Sequence, residues 1–144
     1  MIGLVWLGLA GTVAAADRPL IDAVREGDVE RVRVLLAQRV DPNTPDVDGA
    51  TALHWAAHAD DLTAATLLVR AGARANVANR YGATPLIVAA TNGNAAMLEM
   101  LLVAGADPNG GLPEGETPLM RTARAGRADA VTLLLAHGAD VDAT

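Results

Sequence analysis

Two histidines four residues apart, His54 and His58, with Asp60 and Asp61 just beyond them, come nearest in this chain to a metal-ligand pattern. On a helix, positions i and i+4 share a face, so both imidazoles could hold one zinc ion. The string HWAAH lacks the glutamate of a metalloprotease helix, and the spacing fixes no third ligand. Asp46 with Asp48, and Glu114 with Glu116, are the pairs that acid–base chemistry could use. Such chemistry needs a cleft that separates two pKa values, and both pairs stand among turn-forming residues that water reaches. Gly110-Gly111 could cradle a phosphate, but no lysine follows and no strand precedes. With no cysteine there is no disulfide, thiolate or cysteine-bound metal. No catalytic, metal or cofactor site is assigned, and the chain is not read as an enzyme.

The elements that carry these residues repeat. The strings GATALHWAA, GATPLIVAA and GETPLMRTA begin at Gly49, Gly82 and Gly115, a step of 33 residues. A second set, VLLAQRVDPN, LLVRAGARAN, LLVAGADPN and LLLAHGADVD, follows the first. A fixed period of this length signals a stacked array. Within one block, Thr51, Thr84 and Thr117 stand where a helix N-cap hydroxyl accepts an orphan N–H. Pro85 and Pro118 follow at the first helical position, where a missing N–H costs nothing. Leu53, Ala56 and Ala57 then fall at i, i+3 and i+4 on one apolar face. Leu53, Leu86 and Leu119 are expected to be buried equivalents, with Trp55 packing at the edge of that face and Val88 as its counterpart.

Gly27, Gly93 and Gly126 end the first helix of their blocks, as a left-handed glycine does, and Asp60 takes that place in the second. A second helix, with Leu67, Leu68 and Val69 at its core end, stops at Gly72, Gly105 or Gly138; Arg39 replaces that glycine in the first block. The polar stretches that follow, rich in Pro, Asn, Asp and Gly, read as a turn or hairpin between blocks. A helix–turn–helix–loop unit of this kind cannot bury its apolar face alone, so it stacks.

Composition agrees. The 51% apolar content comes from Ala, Leu and Val, with no Phe and only Trp6, Trp55 and Tyr81 as aromatics. Such small, helix-forming residues suit close helix packing. The net charge is −6, and the eleven basic residues, all arginine, are dispersed. No basic stripe is present to track a phosphate backbone, so nucleic acid is not expected as a partner. The first sixteen residues, MIGLVWLGLAGTVAAA, are apolar, uncharged and close on an A-x-A pattern before Asp17. They are read as a cleaved signal peptide, too short for the ~20 residues of a membrane span. The mature protein is then periplasmic or secreted and not stably inserted in a membrane; without a working leader it is cytoplasmic.

The repeated strings resemble the ankyrin repeat, T-P-L-H-x-A-A followed by G-A-D-V-N at a 33-residue period. Thr51, Leu53, His54, Ala56 and Ala57 match the first string, as do Thr84, Pro85, Leu86, Ala89 and Ala90; Gly105, Ala106, Asp107 and Asn109 match the second. Thr122 departs from the family's alanine, and the first unit keeps Pro19, Leu20 and Ala23. The resemblance covers 17–144 as units of about 17–45, 46–78, 79–111 and 112–144, behind the leader 1–16. It implies an all-α solenoid of stacked antiparallel helix pairs joined by projecting β-hairpin-type loops, with a concave side that binds protein. In that setting His54 is a structural histidine.

The expected function is a non-enzymatic, monomeric protein-interaction scaffold; the alternative is a regulatory or targeting segment of a longer protein whose activity lies beyond Thr144. Partner contact is expected at Val47, Asp48, Ala50 and His58 in the second unit. The equivalents are Arg80, Tyr81, Ala83, Thr91 and Asn92 in the third, and Pro113, Glu114, Glu116 and Arg124 in the fourth. Tyr81, at a loop tip where no core asks for an aromatic, is the natural anchor. The internal-type second helix of the fourth unit, with Val131, Leu133, Leu134 and Leu135, leads to the further expectation that more repeats or a partner cover its outer face.

Overall fold

The computed structural model describes residues 18–142; the leader assigned to residues 1–16 lies outside them. Among the described residues eight helices form four pairs: α1 (Pro19–Arg25) with α2 (Val29–Ala37), α3 (Ala52–His58) with α4 (Leu62–Arg70), α5 (Pro85–Asn92) with α6 (Ala95–Val103), and α7 (Pro118–Arg124) with α8 (Ala128–Ala136). The starts follow local chemistry. Thr84 and Thr117 accept hydrogen bonds from the N–H groups of Ile87 and Met120, and Pro85 and Pro118 occupy the first turn. Second helices are capped by Asp28, Asp61 and Asn94, whose side chains accept from Arg31, Ala64 and Ala96.

Each helix packs on its partner and on the same helix of the next pair, so α1, α3, α5 and α7 form one layer and α2, α4, α6 and α8 the other. The core between the layers is one continuous cluster from Leu20 to Ala139, including Leu53, Leu68, Leu86, Leu98, Leu101 and Leu134. The alanines Ala56, Ala57, Ala89 and Ala90 are fully enclosed and let neighbouring helices approach. Leu53 and Leu86 are fully buried, whereas Leu119 is only half-buried. Nothing among the described residues packs on the far side of α7 as α5 packs on α3 and α7 on α5.

Three asparagines at the repeat interval stitch pair to pair. Asn43 Nδ2 donates to the Gly72 carbonyl while its Oδ1 accepts from Arg74 N–H. Asn76 does the same with Gly105 and Asp107, and Asn109 with Gly138 and Asp140. The positions read as glycine substitutes are left-handed: Arg39 has φ 62° and Asp60 φ 56°, a region that costs non-glycine residues about 1–2 kcal/mol.

The loops correct the expected fold class. No residue described here is in a β-strand, and the connections are tight turns rather than β-hairpins. In the second turn Asp46 N–H donates to the Ala50 carbonyl and Gly49 N–H to the Asp46 carbonyl; Asn79, Ala83 and Gly82 repeat the pattern, as do Leu112, Glu116 and Gly115. Side chains take the N–H groups that strands would have offered to a ladder. Asp46 Oδ1 accepts from Asp48 and Ala50, and Asn79 Oδ1 from Tyr81 and Ala83. Such local acceptors compete with sheet formation. Between these two turns one backbone bond remains, from Arg80 N–H to the Asp48 carbonyl at 2.7 Å.

Candidate interaction face

Turn tips and first helices lie on one side of the array, and most of the residues singled out from sequence are found there. Val47 and Tyr81 project from adjacent tips, 80% and 63% exposed. Asp48 and Arg80 join the same tips through an ion pair of 2.9 Å. The Asp48 hydrogen bond, with the charges of Tyr81 and Asp48, holds the Arg80 guanidinium above its usual pKa. The guanidinium also lies 5.6 Å from the Tyr81 ring centroid, within cation–π range. Pro113 and Glu114 are exposed at the next tip. His58, Thr91 and Arg124 are exposed equivalents at the ends of α3, α5 and α7.

Other residues of that set have structural work. Ala50 is buried beneath its turn and Ala83 is half-buried. The Ala83 carbonyl accepts from His54 Nε2 at 2.9 Å. Asn92 is exposed, yet its amide donates to the carbonyls of Ala57 and His58, closing the end of α3. Glu116 is clasped by Arg121 and Arg124. Its carboxyl is held below the ordinary range, first by the Arg121 hydrogen bond and then, against burial, by both arginine charges. Arg121 extends the clasp to Thr91 Oγ1 in the preceding pair.

His54 uses both of its nitrogens. Nδ1 accepts from the Thr51 N–H at 3.0 Å, and Nε2–H donates across to Ala83. Those partners determine the tautomer, because an N–H can only donate and a carbonyl can only accept. Burial pushes the pKa of His54 down, opposed by Ala83 and Asp46. Neither ring nitrogen offers a free lone pair, so the His54–His58 pair does not assemble as a metal clamp. Among the described residues no group of three or more His, Cys, Asp or Glu side chains is placed to hold a metal ion.

Trp55 is the residue whose setting is richest. Its Nε1–H donates to Asp46 Oδ2 at 3.0 Å, Arg25 lies 4.7 Å over its ring, and the His58 ring meets it edge-on at 6.1 Å. Burial raises the Asp46 pKa, but hydrogen bonds from Trp55, Asp48 and Ala50, with the Arg18 charge, bring it below the ordinary value. Arg25 and Asn79 were absent from the sequence-based set. Arg25 is the 33-residue equivalent of His58, so the period alone could have brought it in; Asn79 is the equivalent of Asp46, which was itself outside that set.

Comparison with known proteins agrees with this geometry. A family model described as "Ankyrin repeats (3 copies)" matches residues 20–111 and again 61–144. A segment of 61 residues is 39% identical to part of Neurogenic locus notch homolog protein 1 of Danio rerio. That segment is 42% of this chain and 2% of the fish protein, so only a small part of that relative is represented here.

Proposed function

We propose that this chain, which belongs to the ankyrin-repeat family, is a non-enzymatic scaffold that binds a protein partner through its turn tips and first-helix face. The observation that carries the reading is the row of exposed side chains, Val47, Arg80 and Tyr81 foremost, on turns whose backbones are already hydrogen-bonded. Residues held in place before binding lose little entropy on contact, and tyrosine is a common anchor. Pro113, Glu114, His58, Thr91 and Arg124 extend the contact surface. Among the described residues no helix is long and apolar enough to cross a membrane.

The uncharged run 1–16 ending at Ala14-Ala15-Ala16 supports a cleaved leader, with a mature chain from Asp17 outside the cytoplasm. N-terminal sequencing after expression in a bacterium should read Asp-Arg-Pro; Met1 retained on a cytoplasmic product overturns export. A second reading, an adaptor segment within a longer protein, is favoured by the fish relative, where the matched segment is a small fraction of the chain.

The scaffold is tested by exchanging Arg80 and Tyr81 together for Ala in the full chain. Dichroism and melting should stay nearly unchanged, because exposed tip residues contribute little to the core, while a partner captured from native extract by the parent chain is lost. Parallel loss of stability and binding, or capture that is unaffected, overturns the assignment of this surface.

A further inference from the structure

The second-helix layer, on the other side of the array from the first helices, carries a groove of about 490 Å³ between α4 and α6. Its apolar lining includes Leu62, Met100 and Val103. Leu62 is 38% exposed and Val103, in the last turn of α6, is 74% exposed. The equivalents of Val103 are Ala37, Arg70 and Ala136, so the repeat pattern does not ask for a valine there. A large exposed apolar side chain beside an apolar groove marks a contact surface.

The polar side chains of the same lining are Thr66, Arg70 and Glu99. Thr66 donates its hydroxyl to the Leu62 carbonyl at 2.7 Å. Arg70 on α4 and Glu99 on α6 are exposed, and among the described residues neither joins an ion pair, with the other or with a third residue. The groove thus presents one positive and one negative charge on opposite apolar walls. An acidic segment laid along it would set like charge against Glu99, and a basic segment would do the same to Arg70. The fitting occupant brings both signs together with an aliphatic side chain. A second copy of this chain carries all three. In a two-fold contact residue i meets j while j meets i, so Arg70 meets Glu99 of the second copy and Glu99 meets its Arg70.

We propose that this groove is the interface of a two-fold homodimer, in which Val103 of each copy seats in the groove of the other, flanked by reciprocal Arg70–Glu99 ion pairs. The turn tips and first helices of both copies stay free, so the dimer presents two interaction faces. Such a dimer replaces the monomer expected from sequence and leaves the scaffold reading untouched.

Sedimentation of the full chain across a concentration series tests the interface, and the mass should rise reversibly to twice that of one chain. Val103→Arg, which copies Arg70 of the preceding pair, should weaken association at least tenfold and leave the helical dichroism intact. Arg70→Glu and Glu99→Arg each set like charges against one another across the two-fold. Each should weaken association at least tenfold, and more at low salt than at high salt. Mixed in equal amounts, the two reversed variants regain both ion pairs in a heterodimer, so association should return close to that of the parent chain. Arginine and glutamate that meet only within one chain cannot produce this rescue. A single mass at every concentration overturns the interface. So does association indifferent to Val103→Arg and to both reversals, or a mixture that associates no better than either variant alone. In each case the scaffold reading is decided separately by the Arg80 and Tyr81 exchange.

Discussion

The second and third helix pairs share a template with the fourth, and position by position the fourth departs from it. Leu53 and Leu86 are enclosed on all sides, while their equivalent Leu119 is half-exposed. Ala56 and Ala89 give way to Thr122, whose buried hydroxyl must donate back to the Leu119 carbonyl at 3.0 Å. Asp61 and Asn94 cap α4 and α6 with their side chains, but Arg127 at the start of α8 gives no such bond. Leu135 is 42% exposed. Likeness to the template therefore does not translate into equal burial or equal capping. What matters is whether a neighbour covers the recurring leucine and whether the cap residue carries an acceptor. The central pairs have both, and they also carry Tyr81 and Trp55.

Truncating the recurring leucines gives the largest contrast. Leu53→Ala or Leu86→Ala should cost about 2–5 kcal/mol, because a closed site cannot collapse around the lost atoms. Leu119→Ala should cost less, under about 2 kcal/mol, since its burial is incomplete. Urea denaturation of the three variants measures this, and equal costs would erase the distinction between centre and end.

A smaller effect sharpens it. Arg127→Asp installs the acceptor found at Asp28 and Asp61, and puts a negative charge at a helix N-terminus; it should stabilise by about 1 kcal/mol. Arg127→Ala should bring no such gain. If the two variants melt alike, the missing cap is not what weakens α8.

The smallest and most local effect is the pH response of the central pairs. His54 takes up a proton less readily when folded than when unfolded. Its contribution to stability is therefore complete above the unfolded value near 6.5 and is lost progressively as the pH falls below it. Asp46 adds a similar loss only below its own ordinary value of 3.8. His54→Ile, which copies Ile87 of the next pair, should flatten the stability profile between about pH 7 and 5. A slope that survives the exchange would place the titrating group elsewhere.

Much of this was legible in the chain. The threonine caps, the prolines behind them and the 33-residue recurrence of leucine and alanine are local signals, and they mark the helices and their stacking. The unfavourable left-handed positions of Arg39 and Asp60 also follow from recurrence, since glycine occupies the equivalent sites. The hairpins were misread because Asp46 and Asn79 look like ordinary turn residues, and nothing in their spacing says that one side-chain oxygen will take two backbone N–H groups. The contacts of the interaction face were hidden for another reason. His54 with Ala83 and Arg25 with Trp55 join different repeats, and such pairs depend on the offset between stacked units rather than on order along the chain. Leu119 was misjudged because burial depends on the neighbour, which the residue's own motif does not describe.

The central claim is that the second and third pairs form the rigid platform from which the turn tips act. Amide hydrogen exchange on the full chain tests it most directly. The slowest amides should lie in α3 to α6, with exchange markedly faster in α7 and α8, because local opening is easiest where apolar cover is least. Uniform protection through Ala136, or slowest exchange in α7 and α8, would contradict it.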